Sequence, residues 1–168
     1  MNRRRCLIGL LCLLGPVTGS AQEDPGRARI GAVTVTVYHA TNGDPEAAGK
    51  RAKSVTGEVA ERLGREERLR FKHYSRLGEE TQPLLRSYEN WAQPLRPSDE
   101  ILVRFEAQGV PTKHTAMLDL ELWLARKKII KSVARLEGDR PLFVLGPEWR
   151  GGRLIIAVAL APEAKKQP

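Results

Sequence analysis

His39, His73 and His114 are the only imidazoles in a chain of 168 residues, so any transition-metal chemistry would have to pass through them. A metal centre needs three or four convergent ligands, and sequence shows them best as H-x-H or H-x-x-x-H pairs with an acid at a fixed offset. These histidines lie far apart and no acid completes a set, so neither a metal nor another cofactor is expected. Nucleophilic chemistry is no better represented. No G-x-S-x-G surrounds Ser75, Ser87, Ser98 or Ser132, and both thiols, Cys6 and Cys12, fall within the first residues of the chain. Glu79-Glu80 and Asp99-Glu100 are adjacent acids, but adjacency in sequence is not convergence in space. No glycine-rich phosphate loop joins a strand to a helix. Catalysis has no positive motif; a small hydrolase with a dispersed site stands only as an alternative reading.

Binding chemistry is better represented, in three places. Arg68, Arg70, Lys72 and Arg76 share one parity, with Tyr74 among them. In an extended chain such residues project to one side about 7 Å apart, near the phosphate spacing of a stretched polyanion. Glu66, Glu67, Glu79 and Glu80 bracket that face, and a solvated outer face is the plainer expectation. Trp123 shares parity with Asp119 and Glu121. An indole beside two acids can stack on a sugar ring while the acids hold its hydroxyls, as in a carbohydrate-binding module. Finally, "GPEWRGG" carries Trp149 and Arg150 between glycines. The ring there is expected to fold back over the core edge and contribute more to folding than to recognition.

The elements that position these residues follow from periodicity. Val33, Val35 and Val37 alternate with Thr34, Thr36 and Tyr38 in a half-buried strand over 30–40. Asp44-Pro45 reads as a capped helix start. The stripe Ala48, Ala52, Val55, Val59 and Leu63 continues that helix to a stop at Gly64. Strands follow over 69–77, 84–91, 101–107, 118–124, 129–136, 141–145 and 153–160, separated by Gly/Pro turns. Leu154 to Leu160 is apolar on both faces and should be central. The expected fold is mainly β: an antiparallel β-sandwich or open barrel of about 7–8 strands, with one helix inserted after the first strand. Between Leu124 and Ile130, parity favours a three-residue loop, Arg126-Lys127-Lys128. It would set Leu118 opposite Leu136, Lys131 against Trp123 and Arg135 against Asp119.

The N-terminus indicates the compartment. Arg3, Arg4 and Arg5 precede the short apolar run Cys6 to Leu14, and Gly19-Ser20-Ala21 supplies small residues at a cleavage spacing. Residues 1–21 therefore read as a signal peptide, 22–29 as a flexible lead-in, 30–161 as a single β-rich domain and 162–168 as a polar tail. Cleavage after Ala21 removes both cysteines and lowers the net charge from +8 to +5. A cysteine-free exported domain of this size must be held by its core alone. The residual charge permits attraction to anionic polymers and gives no footprint of specific nucleic-acid binding.

The run from "LRFKHYSRLGEETQPL" through "ENWAQPLRPSDEILV" to "LFVLGPEWRGGRLIIAVAL" resembles short exported bacterial proteins of unknown function. That resemblance implies a signal peptide followed by one small β-domain and brings no activity, cofactor or site residues. The expectation is an exported domain, periplasmic or extracellular. It would bind a protein or polymer partner in the cell envelope and would not be integral to the membrane after cleavage.

Overall fold

The alternation of β1 (Arg29–Thr41) decides which way the chain faces. Val33, Val35 and Val37 are fully buried while Thr34 and Thr36 turn outward. In a computed structural model describing residues 23–109, 111–112, 114–138 and 140–161, the chain is mainly β. The leader 1–21 and the tail 162–168 lie outside the described residues. After β1 come β2 (Lys53–Ser54), α1 (Glu58–Arg65), β3 (His73–Leu85), β4 (Asn90–Ala92) and β5 (Ile101–Ala107). They are followed by β6 (Thr115–Leu124), β7 (Lys127–Glu137), β8 (Leu142–Trp149) and β9 (Gly152–Leu160). They form two antiparallel sheets, ordered β2-β3-β1-β9-β8 and β4-β5-β6-β7.

The main core lies between the sheets. Val33, Val35, Val37, Leu154, Ile156 and Val158 meet Ile101, Val103, Phe105, Leu118, Leu120 and Leu122 there. A second cluster lies on the outer face of the five-stranded sheet, where Tyr38, Ala40, Ile155 and Ala157 pack under Leu63 of α1 and under Leu69. This explains why β9 is apolar on both faces: one row fills the sandwich and the other supports the helix.

The helix differs from the sequence expectation. Asp44 does accept from the Glu46 N–H at 2.9 Å, but the turn it caps is a single 3₁₀ turn, Pro45–Ala48. Gly49, at φ 92°, ends it; Lys53 and Ser54 then pair with β3, and Gly57, at φ 70°, precedes α1. Two left-handed glycines divide what reads as one stripe, and Val59 is left exposed.

The third strand differs too. Leu69 ends a 3₁₀ turn rather than starting a strand, and β3 runs unbroken to Leu85 through Gly78-Glu79-Glu80. That polar run resembles a turn, yet it stays extended: Glu79 faces outward, and Glu80 turns toward the four-stranded sheet, where it accepts from the Gln93 N–H. Thr36 donates to Glu79 at 2.9 Å, and the Thr34 and Thr81 hydroxyls meet at 2.8 Å. A bulge at Leu77-Gly78 lets β3 pass the Pro94 carbonyl, where no side chain fits.

The β6–β7 connection corrects the expected loop. A two-residue turn, Ala125-Arg126, with φ of 47° and 64°, pairs Leu124 with Lys127 and Trp123 with Lys128. The extra residue Ile129 then bulges out, and Leu122 meets Ile130. The bulge restores the parity that the short turn would have broken, so the leucines stay inside and no lysine is buried. Beyond it the register lies two residues from the expected one: Leu118 faces Ala134 and Glu121 faces Lys131.

Candidate functional site

The β8–β9 hairpin closes with Trp149 opposite Gly152, leaving Arg150 and Gly151 as a two-residue loop at φ 46° and 71°. Both values are left-handed, as a type I′ turn requires. Of the two adjacent glycines, Gly151 supplies the positive φ, and Gly152 already belongs to β9. Gly152 is small because the β1 backbone and the His39 ring crowd it; a Cβ there would sit 2.6 Å from the Ala40 carbonyl oxygen. His39 is fully buried, neither ring nitrogen has a hydrogen-bond partner, and its edge meets the Trp149 ring at 5.8 Å.

Trp149 is thus the last residue of a strand rather than part of a loose loop. Its Nε1–H donates to Glu100 Oε1 at 2.8 Å, tying the end of one sheet to the other. The Arg150 guanidinium lies 4.3 Å over its ring. Gly49 makes room for that arginine, since a Cβ at Gly49 would come within 3.3 Å of Arg150 Nη1. Trp149 and Arg150 form one wall of a cavity of about 250 Å³. Lys50, Arg51 and Arg96 supply the other charges around it. Arg96 pairs with Glu80 at 2.6 Å. Among the described residues, Lys50, Arg51 and Arg150 form no ion pair. Glu100 is the one carboxylate lining the cavity, and the indole already occupies one of its oxygens. The arrangement suits an anionic group carried on a ring or chain that can lie against the arginine–tryptophan stack.

The other sequence candidates are placed differently. Trp123 is on the outer face of the four-stranded sheet, as its parity requires, beside Trp91 at 5.7 Å with the rings tilted by 57°. Its Nε1–H donates to Glu121 at 3.0 Å, that of Trp91 donates to Glu89 at 3.2 Å, and Lys128 sits 5.6 Å over the Trp123 ring. Lys128 thus takes the place expected for Lys131, which binds Asp119 at 3.2 Å instead. Arg104 is the centre of this face. It bonds Glu89 and Glu106 and lies 3.6 Å from Asp119. Burial alone would raise the Glu121 carboxyl pKa. Hydrogen bonds from Trp123 and Lys128, with the Lys128 and Arg104 charges, outweigh it and hold the group below its usual range. The Arg104 hydrogen bond holds Glu89 low as well. Cations and acids pair across this sheet and both indole N–H groups are engaged, while Asp119 Oδ1 is buried without a hydrogen-bond partner.

The candidate basic face of Arg68, Arg70, Lys72, Tyr74 and Arg76, for which a solvated outer face is the plainer expectation, is not one continuous strand, and Arg68 lies in the 3₁₀ turn before it. Arg70 and Lys72 precede β3, where Arg70 donates to the Gly64 carbonyl at 3.0 Å and the Lys72 N–H to Asn42 at 2.9 Å. Tyr74 shares the outer face of the five-stranded sheet with Arg76 but is buried there among Leu63 and Leu69; its hydroxyl donates to the Leu69 carbonyl at 2.8 Å and accepts from the Phe71 N–H. The 3₁₀ turn at 67–69 ends the extended run on which the shared parity depended. Arg76 is in β3 and faces Glu79 at 3.5 Å. His73, opposite Thr41 on the strand beside that of His39, and His114 are both exposed, and among the described residues no group of three acids, histidines or cysteines is placed to hold a metal.

Lys50, Arg51, Arg96 and Glu100 were not among the sequence candidates. "GKRAK" reads as the polar side of a helix and "PLRPSDE" as a turn, and only the fold brings both beside Trp149. Comparison with known proteins gave no match to a family model, a curated protein or a solved structure.

Proposed function

We propose that this chain is an exported, non-catalytic β-domain of the bacterial cell envelope that binds an anionic polymer at the cavity beside Trp149 and Arg150. The export half of the reading rests on the Arg3–Arg5, Cys6–Leu14 and Gly19–Ala21 succession. The binding half is carried by one observation: Lys50, Arg51 and Arg150 face a cavity of about 250 Å³ whose single carboxylate is already engaged by an indole. Uncompensated cations around a recess attract anions over several ångströms, and a flat arginine–tryptophan stack then adds contact area for a repeating unit. No protein partner is required by this chemistry, and a polymer of phosphates or uronates suits it.

Titrating polyphosphate and polygalacturonate into the exported protein tests the reading. Saturable binding that weakens steeply as salt rises is expected. The double reversal Lys50→Glu, Arg150→Glu should weaken it at least tenfold without moving the melting temperature. Binding that ignores both changes, or a preference for a neutral glycan, would refute the site.

A further inference from the structure

The two sheets are joined along one side and open along the other. On the joined side β3 meets β4: the Asn90 side chain donates to the Pro83 carbonyl at 3.0 Å, and the Gln93 N–H donates to Glu80. On the opposite side β8 ends one sheet and β7 ends the other, with no pairing between them among the described residues. Between these edges a cleft of about 510 Å³ reaches into the core. Its walls include Leu120, Leu122, Ile130, Leu142, Val144 and Ile156, and among the described residues Ser132 is the only uncharged polar side chain along it. That volume falls within the usual range of sites that enclose small ligands.

The edges restrict what can enter. An incoming peptide strand needs an unbroken row of backbone donors and acceptors. β8 interrupts that row at Gly146-Pro147: proline has no N–H, the register shifts there, and the Arg153 guanidinium takes the Gly146 carbonyl at 3.1 Å. β7 is interrupted by the Ile129 bulge and carries Lys127, Lys128 and Lys131. Within the cleft there is almost nothing to satisfy a peptide backbone, whereas a hydrocarbon chain leaves no polar group unpaired. Two charged residues line the cleft, Glu121 and Arg135. Trp123 and Lys128 already engage the two oxygens of Glu121, whereas Arg135 pairs, among the described residues, with the exposed Glu137 at 2.9 Å and is the charge open to a head group.

We propose that the open seam between β7 and β8 binds the hydrocarbon chain of a fatty acid, with its carboxylate at Arg135. This site is separate from the cavity beside Trp149 and stands or falls independently of it. Calorimetric titration of the exported protein with dodecanoate, below its micelle concentration, should give saturable one-to-one binding. Dodecyltrimethylammonium, with the same chain and the opposite charge, should bind at least tenfold more weakly. Arg135→Glu should narrow that difference. Ser132→Phe fills the mouth from an exposed position and should cut dodecanoate binding at least tenfold. Val144→Phe fills the facing wall and provides the same reading if the first variant does not fold. Polyphosphate binding should be unaffected by any of the three. Absence of saturable binding, or binding indifferent to both filling variants, would overturn the proposal. So would dimerisation that Ser132→Phe abolishes, which assigns the seam to a second copy. Tighter binding of an extended valine-rich peptide than of dodecanoate would assign it to a strand and likewise overturn it.

Discussion

Trp149 makes structural contacts at the same place as the proposed binding site. Its ring covers the buried His39 edge, and its N–H bridges the two sheets through Glu100. Trp149→Ala removes both contacts from a half-buried position and should lower stability by about 2–4 kcal/mol, read from denaturant unfolding. An unchanged unfolding midpoint would mean that the ring belongs to ligand binding alone. Tyr74 gives the complementary case. As a buried phenol bonded to Leu69 and Phe71, it should lose about 1–2 kcal/mol on Tyr74→Phe. A neutral result would mean that those two bonds add nothing to the fold. Parity placed both Trp123 and Tyr74 on outer faces, but it carried no record that Leu63 and Leu69 cover the face of Tyr74.

Among the elements, the β6–β7 hairpin is the clearest compromise. Ala125 and Arg126 both occupy left-handed backbone that L-residues with side chains disfavour, and the bulge at Ile129 follows. Arg126→Gly should relieve that strain and raise stability by about 0.5–1 kcal/mol, after allowance for the greater freedom of glycine in the unfolded chain. A fall in melting temperature would mean that the Arg126–Asp99 pair at 3.2 Å outweighs the strain. The core side of this hairpin was legible, because burying a lysine is too costly for any loop to permit. The loop length was not, because a bulge restores the same alternation as an added loop residue. The helix shows a similar ambiguity. An apolar stripe at steps of three and four does not record the two left-handed glycines that divide it.

Across the whole molecule, the Arg104 network ties all four strands of one sheet together, and it should set the pH range of stability. The Glu89 and Glu121 carboxyls are held below their ordinary value of 4.5. Their contribution is therefore present above that value and is lost as pH falls through their folded-state values. Lys131 is raised above 10.5, chiefly by its hydrogen bond to Asp119, so its contribution holds below that value and fades as pH rises through the folded one. Thermal melts should be flat between about pH 5 and 10 and fall on either side. Glu121→Gln should flatten the acid limb; an unchanged acid limb would mean that other carboxylates control it. The exported protein should begin at Gln22, which intact-mass measurement checks: a mass that retains residues 1–21 would remove the export half of the proposed function.

The sequence by itself determined the β class, the inward rows of β1, β6 and β9, the burial of β9 on both faces and the leader-like N-terminus. Each of these is a short-range pattern, set by side-chain alternation or by a few adjacent residue types, and needs no knowledge of what lies opposite. Only the tertiary structure decided the rest. Lys50 and Arg51 reach Trp149 across about a hundred residues of chain and Arg96 across about fifty, and the apolar seam exists because β7 and β8 end their sheets without meeting. Cavities and edges depend on which strands become neighbours and where pairing stops. Those are long-range outcomes of packing the same inward rows, and alternation along a single strand carries no record of them.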